Sequence, residues 1–116
     1  MIKVVVCGAS GRMGQKIGRM VSESRDLELV GGINLKSSSF FGAEIVETKN
    51  ADALLKKTKA DVLIDFTVAN AAVGNVKMAA KNNVALVVGT TGITPEQRKE
   101  METAIKGHVP AVISSN

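Results

Sequence analysis

Apolar residues in this chain fall in short clusters, and the stretches between them repeat on a helical period. Ile2 to Cys7, Leu27 to Ile33, Val62 to Ile64, Ala85 to Val88 and Ala111 to Ile113 are runs rich in valine and isoleucine. Runs of this kind predict strands buried on both faces, as in a parallel sheet. Four helices are predicted between them. In the first, Met13, Ile17, Met20 and Val21 share one face while Gln15, Lys16, Arg19 and Glu23 point elsewhere. The second covers Ala51 to Thr58 with Leu54 and Leu55 inward. The third covers about Ala69 to Asn82, with Val73, Val76 and Ala80 as its stripe and Asn82-Asn83 as its stop. The fourth has the clearest start. Thr94 is placed to cap it, Pro95 takes the first position, where a missing N–H costs nothing, and Gln97 completes a capping box. It is expected to run to about Lys106.

Strand and helix alternate from one end to the other, which predicts a single-domain α/β fold, a doubly wound parallel sheet with right-handed crossovers. The stretch from Asn34 to Asn50 breaks the pattern. It carries Ser37, Ser38, Ser39 and two phenylalanines, and is placed as a loop region with at most a short edge strand at Glu44 to Glu47. No internal repeat or linker divides the chain.

The 116 residues suffice for one core, and with 45% hydrophobic and 22% charged residues the chain has the balance of an ordinary globular domain. No apolar run approaches the roughly 20 residues that span a bilayer, and Lys3 to Val6 lead into a glycine loop without a signal-peptide core, so a cytoplasmic protein is expected. Cys7 is read as a buried small hydrophobe. A net charge of +4 raises the question of nucleic acid. Its cations are spread along helical segments and there is neither Trp nor Tyr, so no base-stacking platform is expected and nucleic acid is not a predicted partner. One Cys, one His and scattered carboxylates predict no metal site. Ser10 lies in G-A-S-G-R, which is not a nucleophile elbow, and His108 sits in a predicted loop, so no catalytic residue is assigned.

The informative segment is Gly8-Ala9-Ser10-Gly11-Arg12-Met13-Gly14, between the first strand and the first helix. Gly8 lets the chain turn off the strand, Gly11 clears space where backbone N–H groups meet a pyrophosphate, and Gly14 lets helix and strand pack closely. The helix start adds free N–H donors and a positive dipole end. With a buried strand following about 20 residues later, this is the context of a Rossmann-type nucleotide site. At the end of the second strand, where an acid usually takes the adenosine ribose, stand Asn34 and Lys36. Asn34 suits a ribose hydroxyl. Lys36 suits a 2′-phosphate or is a plain solvated loop lysine, so the cofactor is NADPH or NADH with a slight lean to the former. Asp65-Phe66-Thr67 and Gly89-Thr90-Thr91-Gly92 lie at two further predicted strand ends. The second suits the approach of backbone groups to a nicotinamide carboxamide, or is a tight turn. Asp65 suits a ribose or amide contact, though a strand-end carboxylate bonded to local backbone N–H groups is at least as common.

Val6 to Gly14, Ile64-Asp65-Phe66-Thr67, Val88-Gly89-Thr90-Thr91-Gly92 and Ser114-Ser115-Asn116, in this order over nearly the whole chain, resemble dihydrodipicolinate reductase, also called 4-hydroxy-tetrahydrodipicolinate reductase. The resemblance implies that Gly8, Ala9, Ser10, Gly11, Arg12 and Met13 cradle the dinucleotide, Arg12 near the phosphates or ribose and Met13 toward the adenosine. It implies that Phe66, Thr67, Gly89, Thr90 and Thr91 border the nicotinamide, with Ser114, Ser115 and Asn116 closing its far edge. Members of the family reduce a cyclic imine of the lysine and diaminopimelate pathway with NADH or NADPH, as cytoplasmic homotetramers. The family's substrate and tetramerisation domain, with its paired histidines and lysine, has no counterpart in these residues, so the chain by itself is expected to bind cofactor without turnover. The usual charged pair at the ribose position is also replaced, and the Asn34 to Asn50 region is shorter. A nicotinamide-nucleotide-sensing module without catalysis is the alternative. A methyltransferase using S-adenosylmethionine shares the first glycine loop but gives no reason for the second.

Overall fold

The computed structural model describes residues 1–34 and 38–114, with Ser38 described by its backbone alone. The strands are β1 (Ile2–Cys7), β2 (Leu27–Asn34), β3 (Ser38–Phe40), β4 (Ala43–Glu47), β5 (Val62–Asp65), β6 (Ala85–Val88) and β7 (Ala111–Ile113). The helices are α1 (Arg12–Glu23), α2 (Ala51–Thr58), α3 (Ala69–Lys81) and α4 (Pro95–Ile105), with a single 3₁₀ turn at Thr48–Asn50. Among the described residues the strands form one sheet in the order β3-β4-β2-β1-β5-β6-β7, parallel throughout except where β3 pairs antiparallel with β4. Crossovers from β1 run toward β4 and then, through α2, back across to β5. The order therefore reverses between β1 and β5, the switch point at which doubly wound sheets bind ligands. This is the single-domain Rossmann-type α/β fold that the alternation of runs predicts.

Two cores flank the sheet. Val5, Cys7, Ile33 and Leu63 pack with α2, α3 and Met101 of α4 on one face, while Val4, Val6 and Ile45 pack with Val21 of α1 on the other. The capping box at Thr94 and Gln97 is formed, with Gln97 N–H donating to Thr94 Oγ1 at 3.1 Å and Thr94 N–H donating to Gln97 Oε1 at 2.9 Å. Among the described residues no helix is long and apolar enough to cross a membrane.

Three expectations need correction. The buried face of α1 is Gly14, Gly18 and Val21, and Met13 and Met20 stand 48% and 72% exposed. The helix lies so near the sheet that the closest contacts are made where side chains are missing. Within the Asn34 to Asn50 stretch, placed as a loop region, residues 38–47 form a β3–β4 hairpin, and the short strand expected at Glu44 to Glu47 is an inner strand, paired with both β2 and β3, and not an edge. Phe40 of this hairpin is 1% exposed and fills the space over Gly18 and Gly32, covering sheet that a crossover helix would otherwise cover. Finally, not every strand is buried on both faces. Register places Val6, Ile64, Val87 and Val112 on one face, and the last two are 38% and 61% exposed.

Glycine substitutions separate close packing from open helix surface. A Cβ on Gly14 would collide with the Gly8 carbonyl oxygen and lie 2.8 Å from its carbon, and that backbone cannot retreat without unmaking the turn. Gly14→Ala should therefore cost about 3 kcal/mol or more. Gly74, in α3, has nothing within 4 Å of its Cβ position. Gly74→Ala should stabilise the fold by about 0.5–1 kcal/mol through helix propensity. Urea unfolding of both variants measures this, and equal effects would contradict the packing.

Candidate functional site

The turn after β1 is held by its own backbone. Gly8, at φ +80°, donates its N–H to the Ile33 carbonyl of β2 at 2.9 Å, and Gly11 N–H returns to the Gly8 carbonyl at 3.0 Å. A positive φ of this kind costs glycine nothing and other residues about 1 kcal/mol or more. The Gln15 amide reaches back to donate to the Ala9 carbonyl at 2.9 Å. Gly11 caps α1 without a side-chain hydrogen bond, and the first turn of α1 contains no acidic residue. The first N–H groups of a helix have no intrahelical acceptor, so this end offers donors and a positive dipole end together. Arg12 and Lys16, both exposed, add positive charge beside it.

A groove of about 360 Å³ opens at this point. Gly8 and Gly11 form one wall and Ile33, Asn34 and Thr48 another. Phe66, Thr67 and the start of α3, as far as Asn75, complete it.

Asp65, the last residue of β5, is fully buried beneath that third wall. Its Oδ1 accepts from Thr67 N–H at 2.8 Å and Thr67 Oγ1 at 2.6 Å, and its Oδ2 accepts from Asn75 Nδ2 at 3.2 Å. Thr90 Oγ1 lies 3.3 Å from the Asp65 carbonyl oxygen and 3.4 Å from Oδ1, and Gly89 N–H donates to the same carbonyl at 2.9 Å. One carboxylate thus ties the β5–α3 loop, α3 and the loop after β6 into a single unit. Of the two readings of Asp65, the geometry selects the local one. Burial, and after it the negative charge of Asp65, raise the Cys7 thiol well above its ordinary range, so it stays neutral and inert behind the turn.

The structure distributes the sequence-predicted residues unevenly. Gly8, Gly11, Asn34, Phe66 and Thr67 line the groove, and Ser10, Arg12 and Met13 are exposed on the turn and the first turn of α1. The side chain of Ala9 is fully buried in the core under α1, and that of Thr90 is turned to Asp65, so both serve the framework. Gly89 has no room for a Cβ because the Phe66 ring lies against it. Thr91 is exposed, and Ser114 extends the β6–β7 ladder, donating its N–H to the Val88 carbonyl at 2.8 Å. Lys36, Ser115 and Asn116 lie outside the described residues. Thr48, Val68, Ala71 and Asn75 line the groove without having been singled out from sequence. Asn75 left a readable signal, a polar residue one helical turn from both Ala72 and Ala79 on a buried face. Among the described residues no group of three or more His, Cys, Asp or Glu side chains is placed to hold a metal ion.

The strand order, the switch point and the glycine turn under α1 define a domain of the Rossmann class. Residues 2–116 match the family model described as dihydrodipicolinate reductase, N-terminus, and the chain belongs to that family. Over its full length the chain is 74% identical to a 4-hydroxy-tetrahydrodipicolinate reductase of Methanoregula boonei and 60% identical to one of Methanoculleus marisnigri, covering 46% of each. It therefore spans about half the length of these curated relatives. A dipicolinate-bound dihydrodipicolinate reductase structure from Paenisporosarcina sp. TG-14 superposes with a TM-score of 0.74 at 28% identity, over 90% of this chain and 43% of that one.

Removing the Asp65 carboxylate strands buried donors on three elements. Asp65→Ala should lower stability by about 2–4 kcal/mol. Asp65→Asn should fall between it and the parent, because the Asn75 amide can flip to accept from the new NH₂. A denaturant series would reveal this order, and an Asp65→Ala variant as stable as the parent would refute the hub.

Proposed function

We propose that this chain is the cofactor-binding half of a 4-hydroxy-tetrahydrodipicolinate reductase, holding NADH or NADPH across the C-terminal edge of its sheet. The observation that carries the reading is the uncapped start of α1, facing the groove at the switch point with its N–H groups free and no carboxylate in its first turn. The residues fit a dinucleotide. Gly8 and Gly11, with the N–H groups of Arg12 and Met13, would hold the pyrophosphate, and Ser10 and the Arg12 guanidinium would flank it. Asn34 takes a ribose hydroxyl. Phe66 and Thr67, with the backbone of Gly89, Thr90 and Thr91, border the nicotinamide, and Ser114 stands at the next strand end.

When bound, the dihydronicotinamide supplies the hydride for reduction of an imine. The part of these residues is to bind and orient. The anchored turn holds the middle of the cofactor, at its pyrophosphate, and the Asp65 network fixes the position of both loops that border the nicotinamide end. The relatives, named as 4-hydroxy-tetrahydrodipicolinate reductases, point to a cyclic imine of lysine and diaminopimelate biosynthesis as the substrate of the whole protein. Gripping that dicarboxylate and donating a proton falls to groups outside this chain, in a protein of roughly twice the length that assembles as a tetramer in the cytoplasm.

Gly11→Val tests the placement. A Cβ at Gly11 meets only the Gly8 carbonyl oxygen, at 3.3 Å, and the φ there is ordinary, so the variant should fold while its side chain blocks the phosphate path. NADH titration should show binding lost, and a folded variant of unchanged affinity would refute the site. A second measurement addresses the division of labour. The purified 116-residue chain should bind cofactor and show no imine reduction above background, and measurable turnover would mean that these residues contain the substrate site.

A further inference from the structure

We propose that Glu47, at the end of the strand beside β2, and Lys49, in the 3₁₀ turn that follows it, read the 2′-position of the adenosine ribose, the task for which the end of β2 supplies no acid. The inference rests on the reading above, that the groove holds a nicotinamide dinucleotide. In doubly wound sheets the ribose lies at the end of the second strand, where an acidic side chain accepts from its hydroxyls and repels a 2′-phosphate. The residue at that place is Asn34, which carries no charge.

The hairpin found in place of a loop puts a charge next to it. Asn34 and Glu47 are the last residues of β2 and β4 and are partners in the parallel ladder. Parallel partners point to the same side of a sheet and stand roughly 4.8 Å apart. Ile33 and Val46, one residue earlier, belong to the core on the α2 and α3 face, so Asn34 and Glu47 turn to the α1 face, where Arg12 opens the helix. Asn34 lines the groove on one side of Glu47, and Thr48, the next residue in the chain, lines it on the other. Glu47 thus stands on the adjacent strand, beside the position from which an acid on β2 would reach the ribose.

The partner of Glu47 makes the arrangement two-sided. Lys49 Nζ lies 3.4 Å from Glu47 Oε2, and the side chains are 77% and 41% exposed. An ion pair this open costs little to break. A ribose bearing two hydroxyls leaves the pair intact and donates to Glu47. A 2′-phosphate attracts Lys49 away from Glu47 and is repelled by the carboxylate left behind. The two residues therefore act with opposite sign on cofactor choice.

The test is a titration of the chain with NADH and with NADPH, followed by nicotinamide fluorescence, for the parent, Glu47→Gln and Lys49→Ala. Both positions are on the surface, and circular dichroism confirms folding. Glu47→Gln should move the ratio of the two dissociation constants roughly tenfold toward NADPH, and Lys49→Ala should move it by a similar factor toward NADH, as expected for one charge a few ångströms from a phosphate near the surface. Binding of both cofactors with a ratio within about twofold of the parent in both variants would overturn the assignment while leaving the groove reading intact. Binding of neither cofactor by the parent would overturn the groove reading, and this proposal with it.

Discussion

The approach of α1 to the end of β1 is the constraint from which the site follows. With hydrogen atoms at Gly14 and Gly18 facing the sheet, the helix descends until Gly14 lies against the Gly8 carbonyl and Gly18 against Phe40. That depth places the first N–H groups of α1 level with the turn, so the dipole end and the loop backbone address the same space. It also leaves Phe40 as the filler between helix and sheet. A bulkier α1 face would lift the helix, open the space Phe40 fills and carry the donors away from the groove in a single movement. Packing density and anion affinity are here two consequences of the same missing methyl groups.

Asp65 has the corresponding role on the other side of the switch point. A buried carboxylate is tolerated only when its lone pairs are met, and here donors come from a loop, a helix and a second loop. Since these donors belong to separate elements, satisfying the charge also fixes their relative position. The Phe66 ring, which leads into this network, then fits only because residue 89 lacks a Cβ. Ordered loops at two strand ends are thereby obtained without a helix or strand to hold them.

Much of this was legible in the chain because it is local. The capping box at Thr94, the helix over Ala51–Thr58 and the strand at Ile2–Cys7 depend on neighbours within a few residues, and they stand where the pattern places them. The glycine turn was legible for the same reason. What escaped depends on distant partners. Methionines mark an apolar stripe on α1, yet glycines make its contact, because periodicity weighs side chains that are present and cannot weigh an advantage of absence. The β3–β4 hairpin is short and rich in serine, and its stability comes from Phe40 meeting Gly18 and Gly32, far off in sequence. The linking of Thr67, Asn75 and Thr90 through Asp65 is likewise invisible until the strands are ordered. Asp65 itself presented two readings, and only its burial separates them.

The two halves of the edge differ in sign as well as in construction. On the α1 side, the helix start, Arg12 and Lys16 present positive charge to the groove with no acid in the first turn. On the α3 side stands the Asp65 carboxylate, withdrawn from the surface and met by donors from Thr67 and Asn75. Its field still reaches Cys7 on the neighbouring strand, where it adds to burial in keeping the thiol neutral. A reduced dinucleotide carries negative charge at its central pyrophosphate, and in NADPH also on the adenosine ribose, while the ring at its nicotinamide end is uncharged. The favourable placement under the proposed reading therefore sets the phosphates against α1 and the ring along Phe66 and Gly89, above a carboxylate whose donors already screen it.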